Sequence, residues 1–223
     1  MQRQALIDHI RVVMGTIPPN VTLEAAAKTR SADEVQAAID AGVRVIGYNY
    51  VQEAQQIFPQ LRGAFQRHLI GRLQKNKVNK AVELFDLIET VDSFELAEAI
   101  GRRCAQAGKV MPLLIEVNSG REAGKSGVLP EEVIPLVRRI AELPNVQVRG
   151  LMTMGPLQAD PQEMRPFFRL TREIYEEIKT LNLARVEMAV LSMGMSDSYQ
   201  VAVEEGANLV RLGTLLFGPR GLS

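Results

Sequence analysis

Lys28 is the residue of this sequence with the clearest capacity for covalent chemistry. It follows an apolar run from Val21 to Ala27, and a polar turn and a helical pattern come directly after it. Proteins built of alternating strands and helices place their sites at the carboxyl ends of buried strands. Burial there favours the uncharged amine, so Lys28 is a candidate nucleophile for an imine with an aldehyde. The alternative is a lysine that ends a strand and reaches into water.

Two loops late in the chain could hold a phosphate group. The first, Ser192-Met193-Gly194-Met195-Ser196, offers two hydroxyls and a flexible glycine before a helix expected to begin near Asp197. Backbone N–H groups at a helix start lack partners within the helix and attract anions. The second loop, Gly213-Thr214, offers a close backbone approach and a further hydroxyl. The alternative for Ser196 is a side chain that only caps the following helix.

Arg211 lies between Val210 and Leu212 in an apolar stretch. If its guanidinium faces the interior it must meet an acceptor, because a buried unpaired charge is costly. The alternative is an arginine on the surface. An imine-forming lysine, a phosphate loop and a guanidinium together suit a ligand with an aldehyde, a phosphate and a ring nitrogen, and pyridoxal 5′-phosphate (PLP) has all three. A sugar-phosphate aldehyde would use the lysine and the loop but leave Arg211 less to do.

The elements that must position these residues alternate along almost the whole chain. Strands are predicted near residues 21–27, 43–46, 67–70, 86–90, 111–117, 147–152, 186–191 and 208–212. Helices are predicted near residues 2–14, 32–41, 50–58, 75–84, 93–107, 131–142, 161–181 and 197–205. Parallel strands need crossovers, so this alternation predicts an α/β protein with a parallel sheet. Eight strands favour a closed TIM-type (β/α)8 barrel over an open doubly wound sheet.

Local chemistry supports several of these helix starts. The segments from Ser31 to Glu34 and from Asp92 to Glu95 both match a capping box. Asp160 precedes a proline at the first helical position and a glutamate at the third. No Pro-rich or Gly/Ser-rich linker divides the chain, so one domain over residues 1–223 is expected.

Composition narrows the class of protein. The chain has 26 Lys and Arg and 26 Asp and Glu residues, and a net charge of zero gives no reason to expect nucleic acid or an anionic membrane as a partner. No run of about 18 apolar residues could span a bilayer. The single cysteine, Cys104, fits a reducing compartment, so a cytoplasmic protein is expected, and its helical setting predicts a buried inert thiol.

Five segments of the sequence resemble the pyridoxal phosphate homeostasis protein family. They are Ala27–Thr29, Gly47–Glu53, His68–Lys77, Leu191–Asp197 and Val210–Gly218. The resemblance extends from about residue 4 to Arg220. It implies a single barrel like the N-terminal domain of alanine racemase, the fold-type III arrangement of PLP proteins. Members of the family bind PLP without an established catalytic reaction and influence vitamin B6 and amino-acid/keto-acid balance.

The resemblance also implies roles for individual residues. Lys28 would carry PLP as an imine, Arg211 would face the pyridine nitrogen, and Asn49 would approach the cofactor from the second loop. The residues implied for the phosphate are Ser192, Met193, Ser196, Gly213 and Thr214. His68 and Met152 would lie nearby. No catalytic residue and no metal ligand is expected.

Three positions depart from the family pattern. Tyr48 stands where members usually have glutamate, so the role of that carboxylate is open here. Ala27 replaces a common serine, which removes a hydroxyl beside Lys28. Arg30-Ser31 replaces a common Lys-Pro, a change expected to alter only the turn.

Chemistry argues against strong catalysis by this chain. PLP stabilises carbanions best when its ring nitrogen is protonated opposite a carboxylate, and an arginine can only donate to that nitrogen. Racemases that use arginine add a tyrosine base from a second domain, which is not expected in a chain that ends at Ser223. The leading hypothesis is a non-catalytic PLP-binding protein, a monomer that could serve PLP-dependent client enzymes. The alternatives are a fold-type III PLP enzyme such as an amino-acid racemase, and a class I aldolase.

Overall fold

Eight parallel strands close into a barrel in the order of the chain, and the last strand pairs with the first. The computed structural model describes residues 3–156 and 160–219. The strands are β1 Thr22–Ala26, β2 Val45–Tyr48, β3 Gln66–Leu69, β4 Leu87–Val91, β5 Met111–Val117, β6 Val146–Thr153, β7 Val186–Ser192 and β8 Leu209–Leu212. The predicted (β/α)8 barrel is therefore confirmed, and the open sheet is wrong.

Helices surround the barrel, and all but the first and the last connect consecutive strands. They are α1 Arg3–Gly15, α2 Ala32–Ala41, α3 Val51–Ile57, α4 Val78–Leu84, α5 Phe94–Gln106, α6 Pro130–Ala141, α7 Arg165–Thr180, α8 Tyr199–Glu204 and α9 Thr214–Phe217. Short 3₁₀ turns cover Phe58–Gln60 and Lys75–Lys77. The predicted start of the first helix at residue 2 lies outside the described residues. Within the described parts of the chain, no helix combines the length and the apolar character needed to cross a membrane.

Three helices differ from their predicted bounds. The helix predicted from residue 161 begins at Arg165, because the Asp160 side chain accepts from the N–H of Gln162 and holds a turn instead. The helix predicted from residue 197 begins at Tyr199. The pattern over residues 75–84 forms a 3₁₀ turn followed by α4. The four-residue helix α9 was not predicted.

The capping chemistry is confirmed at one of the two matched segments. Ser31 Oγ accepts from the N–H of Glu34 over 3.3 Å, and the Glu34 carboxylate accepts from the N–H of Ser31 over 2.8 Å. This is the reciprocal pair of a capping box. Ser93 begins α5 without a side-chain cap bond, so the capping box predicted over residues 92–95 is wrong.

The barrel interior changes from apolar to polar along the strands. A small buried apolar cluster is formed by Leu87, Leu114 and Met152, with Val190 packed against it. Two residues further along β4 and β7 stand Glu89 and Ser192, both fully buried. The larger apolar core, which includes the buried Cys104, lies between the barrel and its helices.

Candidate functional site

A cavity of about 740 Å³ opens at the carboxyl ends of the strands. It is lined by Ala26, Lys28, Arg30, Asn49, Ile70, Met154, Met195, Ser196, Asp197, Arg211, Gly213, Thr214 and Leu215. Six of the eight predicted site residues belong to this lining, contributed by the ends of β1, β2, β7 and β8. A barrel concentrates its chemistry at this end, because every strand ends there and the loops are free to vary.

The loop after β1 presents the Lys28 amine to this cavity. Lys28 is half-buried, and Nζ lies 5.4 Å from the centroid of the Tyr50 ring. The next residue, Thr29, has a left-handed φ of 63°, which is uncommon for a β-branched residue. Its N–H donates to the carboxylate of Glu53 on α3, which holds this conformation. The residue types and spacing around Glu53 do not predict this contact.

Asn49 lines the cavity, and its backbone packs directly against Gly71 of the loop after β3. A Cβ on Gly71 would lie 2.2 Å from the carbonyl oxygen of Asn49. No real side chain tolerates such an approach, so the loop after β3 can pass behind Asn49 only with glycine at position 71. Gly71 therefore supports the wall of the cavity.

Ser196 joins the two loops that were predicted to hold a phosphate. Its Oγ accepts from the N–H of Gly213 over 3.3 Å and from the N–H of Leu215 over 3.1 Å. The alternative that Ser196 caps the following helix is wrong, because α8 has Ser198 at its N-cap position. With both lone pairs of Oγ engaged, the hydroxyl proton of Ser196 is left to donate.

The other two predicted phosphate residues lie beneath the cavity. Ser192 is fully buried, and its Oγ donates to Glu89 over 2.7 Å. Met193 is also fully buried, and its N–H donates to the carbonyl of Leu209 over 3.1 Å. Neither residue belongs to the cavity lining.

Arg211 faces the interior and has the acceptors that burial demands. It is 5% exposed, so the surface alternative is wrong. Nη1 donates to Ser192 Oγ, and Nη2 donates to the carbonyl of Thr153 over 2.8 Å. The guanidinium also forms part of the cavity lining. Arg211 therefore links the cavity to the buried polar layer below it.

That polar layer contains two carboxylates that sequence reasoning missed. Nδ1 of His68 lies 2.9 Å from Oε1 of Glu89 and 3.4 Å from Oε1 of Glu24. Glu24 stands opposite Arg211 in the pairing of β1 with β8. Gly47 leaves room for it, because a Cβ there would lie 2.4 Å from Glu24 Oε1. The available signal was a glutamate inside an apolar strand, at positions 24 and 89.

Burial and mutual charge set the protonation of this layer. Burial and the charge of Glu89 raise the pKa of Glu24 to about 7. Burial opposes a charged His68, but the close carboxyl groups of Glu24 and Glu89 raise the pKa of His68 to about 10. Burial also opposes ionisation of Glu89, yet His68 and Arg211 hold the pKa of Glu89 below its usual value.

The three side chains Glu24, His68 and Glu89 could also supply three ligands to a metal ion, since their ligand atoms lie within 4.8 Å of one another. The charges of the neighbouring side chains favour protons over a metal ion between these three residues. Arg211 Nη1 is 4.0 Å from Glu89 Oε2, and a protonated His68 supplies the second positive charge. With Glu24 holding a proton below its raised pKa of about 7, the positive charges of Arg211 and His68 stand beside Glu89, and the layer is satisfied without a metal ion.

Positive charge dominates the cavity itself. Lys28, Arg30 and Arg211 line it, and among the described residues of the lining Asp197 is the one acidic group. Arg30 does more than alter a turn, because its guanidinium donates to the carbonyls of Phe217 and Gly218 and so ties the loop after β1 to α9. This excess of positive charge favours an anionic ligand.

Tyr48, which departs from the family pattern, faces away from the cavity. It is fully buried on the outer side of β2, and its ring meets Phe58 edge to face at 5.4 Å. Burial raises the pKa of its hydroxyl. The residue is part of the core between the barrel and its helices and has no contact with the ligand cavity.

Known proteins share both the fold and most of the length of this chain. The family described as alanine racemase, N-terminal domain, matches residues 1–221. A pyridoxal phosphate homeostasis protein of Aquifex aeolicus is 42% identical over 87% of this chain and 85% of the relative. A protein of the same name from Vibrio cholerae is 34% identical over 98% of this chain and 94% of the relative.

Solved structures agree with these relatives. PipY of Synechococcus elongatus, with PLP bound, is 34% identical over 96% of this chain and 100% of PipY, with a TM-score of 0.88. An alanine racemase of Clostridium difficile has a TM-score of 0.77 at 15% identity over 98% of this chain and 56% of the racemase, which shows the common fold. Because the match to the curated relatives extends over most of both chains, this chain belongs to the pyridoxal phosphate homeostasis protein family.

Proposed function

We propose that this chain binds PLP reversibly on Lys28 and serves vitamin B6 and amino-acid/keto-acid homeostasis as a non-catalytic PLP-binding protein. The observation that carries the proposal is the convergence of the Lys28 amine, the Arg211 guanidinium and the Ser196 hydroxyl on one cavity. Relatives at 34–42% identity are named for PLP homeostasis, and PipY has been solved with PLP bound.

The residues present suit PLP in size and in chemistry. Ligand pockets have volumes of about 300–1,000 Å³, and this cavity, at about 740 Å³, lies in that range. Ser196, Gly213 and Thr214 would hold the phosphate, and Asn49 would contact the cofactor from the second loop. Ser192 and Met193 lie beneath this cradle, outside the cavity lining. Lys28 and Arg211 would neutralise the anionic ligand from two sides.

PLP would supply an aldehyde, and the Lys28 amine is the nucleophile placed to hold it. Arg211 would donate toward the ring nitrogen and keep a proton off it. An arginine at that place weakens the withdrawal of electrons that PLP enzymes depend on. Holding and releasing the cofactor is therefore the role that these residues support, ahead of an amino-acid racemase.

We propose that the chain acts as one PLP-binding barrel domain over residues 1–223, as a cytoplasmic monomer, and that PLP-dependent client enzymes receive its cofactor. Neither nucleic acid nor a membrane is a proposed partner, in line with the zero net charge of the sequence.

The direct test is to add PLP to the purified protein, record the visible spectrum, reduce with borohydride and map the modified peptide. We expect a yellow protein with one reducible adduct on Lys28. Lys28→Ala should abolish the adduct and keep the fold, because the side chain is a half-buried lysine at a strand end. A colourless protein, or an adduct on Lys75, Lys77 or Lys80, would contradict the proposal.

A further inference from the structure

A chain of hydrogen bonds crosses the barrel interior beneath the cavity. Glu89 on β4 accepts from Ser192 on β7 over 2.7 Å, and Ser192 accepts from Nη1 of Arg211 on β8. The other oxygen of Glu89 accepts from Nδ1 of His68 on β3 over 2.9 Å. Each of these four side chains is at most 5% exposed. Buried polar networks of this kind fix orientation, because every alternative leaves a polar group without a partner.

The charge on Glu89 sets the direction of these bonds. An ionised carboxylate accepts only, so Ser192 and His68 must both donate to it. The hydroxyl proton of Ser192 therefore points at Glu89, and its lone pairs remain for Arg211. An amide at position 89 would not impose this order, because one end of an amide donates.

Two bonds fix the plane of the Arg211 guanidinium. Of its five N–H groups, one donates to Ser192 and one to the carbonyl of Thr153. Arg211 also lines the cavity, so the orientation that these bonds set decides which N–H groups a ligand meets. Ser192 acts on that ligand through the guanidinium.

We propose that Glu89 is a positioning residue for Arg211, that Ser192 is the link between them, and that this link sets how the guanidinium meets the ring of bound PLP. The inference rests on the proposed function, since PLP is the ligand concerned. It assigns Glu89 a task although the residue lies beneath the cavity and touches no ligand.

The test compares Glu89→Gln, Ser192→Ala and the double variant, each loaded with PLP and titrated with acid and base in a visible absorbance measurement. Both single variants should keep the reducible adduct on Lys28. In both, the pH at the midpoint of the absorbance change should shift by about one unit. That is the tenfold effect expected for one charge-assisted hydrogen bond. The double variant should shift it no further, because either substitution breaks the same link.

Glu116→Gln is the matched control. Glu116 is another buried carboxyl, on β5, and its Oε2 accepts no hydrogen bond among the described residues. Burial and the charge of Asp92 raise the pKa of Glu116 to about 7, so above that pH its carboxylate is charged and interacts with Arg211. This variant therefore separates the loss of a nearby carboxylate from the loss of the link, and it should titrate like the wild type.

Three results would overturn the inference: a wild-type midpoint in Ser192→Ala, shifts that add in the double variant, or an equal shift in Glu116→Gln. Ser192→Ala removes one hydroxyl and leaves the number of buried charges unchanged. If Glu89→Gln fails to fold, the midpoint of Ser192→Ala alone tests the inference. Absence of an adduct on Lys28 in the wild type is a different result, and it contradicts the proposed function itself.

Discussion

The hydroxyl of Ser196 is the site group whose hydrogen bonds are most completely defined. Two backbone N–H groups, those of Gly213 and Leu215, donate to it, so it has a proton to give but no lone pair to offer. A hydroxyl in that state suits an anion and not a cation. It also fixes the loop after β8 against the loop after β7, so that both reach the same ligand.

We expect Ser196→Ala to weaken PLP binding about tenfold, since a hydrogen bond to a charged group contributes about 1.5–3 kcal/mol and 1.4 kcal/mol is tenfold. Pyridoxal, which lacks the phosphate, should lose far less affinity. The measurement is a spectroscopic titration of wild type and variant with both compounds. An equal loss for the two compounds would show that Ser196 acts on the ring or on the fold, and not on the phosphate.

Part of this site could be read from residue types and spacing alone. Lys28 and Arg211 stand out because a charge in an apolar stretch needs a reason. Glu24 and Glu89 carry the same signal, yet their meaning depends on His68 and Ser192. Ser192 on β7 is three strands away from Glu89 on β4, and His68 on β3 is two strands away from Glu24 on β1. Only closure of the barrel brings such residues together, and no local sequence pattern shows which distant residues will meet.

Among the elements, α2 has the clearest start signal, and it follows the Lys28 loop. The Ser31 hydroxyl accepts from the Glu34 N–H, which would otherwise lack a partner at the helix start. We expect Ser31→Ala to lower the free energy of unfolding by about 1 kcal/mol, measured by urea denaturation at neutral pH.

Ser93→Ala is the control for this helix effect. Ser93 holds the same N-cap position at α5, but its side chain makes no cap bond. Its replacement should change the free energy of unfolding by less than about 0.5 kcal/mol. Equal losses in the two variants would mean that the capping bond of Ser31 contributes nothing.

Element boundaries depend on contacts that lie far away in the sequence. Most strands were predictable from their apolar runs, although β3 reads Gln-Arg-His-Leu and has no such run. Helix α9 has only four residues, so it carries no period of its own. Its position depends on Ser196, which accepts from its first turn, and on Arg30, which holds its end. A short helix fixed by such partners is visible only in the folded molecule.

At the scale of the whole molecule, the barrel holds ionisable groups where most barrels hold apolar layers. Glu24 faces Glu89, His68 and Arg211, and the folded state takes up protons to balance these charges. Protonation and stability are therefore linked. Whether stability rises or falls with pH depends on whether folding raises or lowers each pKa.

Both raised pKa values act in the same direction. The pKa of Glu24 rises from 4.5 to about 7, so the stabilisation from its proton is complete below 4.5 and is lost as the pH rises toward 7. The pKa of His68 rises from 6.5 to about 10, so its contribution is complete below 6.5 and is lost as the pH rises through 10. These two groups make the protein without PLP less stable as the pH rises from mildly acidic to alkaline.

Glu24→Gln isolates the first of these contributions, because glutamine mimics the protonated carboxyl without titrating. We expect the free energy of unfolding, measured with urea and without PLP, to fall between about pH 5 and pH 8 in the wild type and to fall less in the variant. At the acidic end the two proteins should have similar stability, since Glu24 is then protonated in the fold. Equal slopes in the two proteins would mean that Glu24 is ionised throughout this range. In that case Arg211 and His68 would already balance both carboxylates, and the interior of the barrel would take up no proton on folding at Glu24.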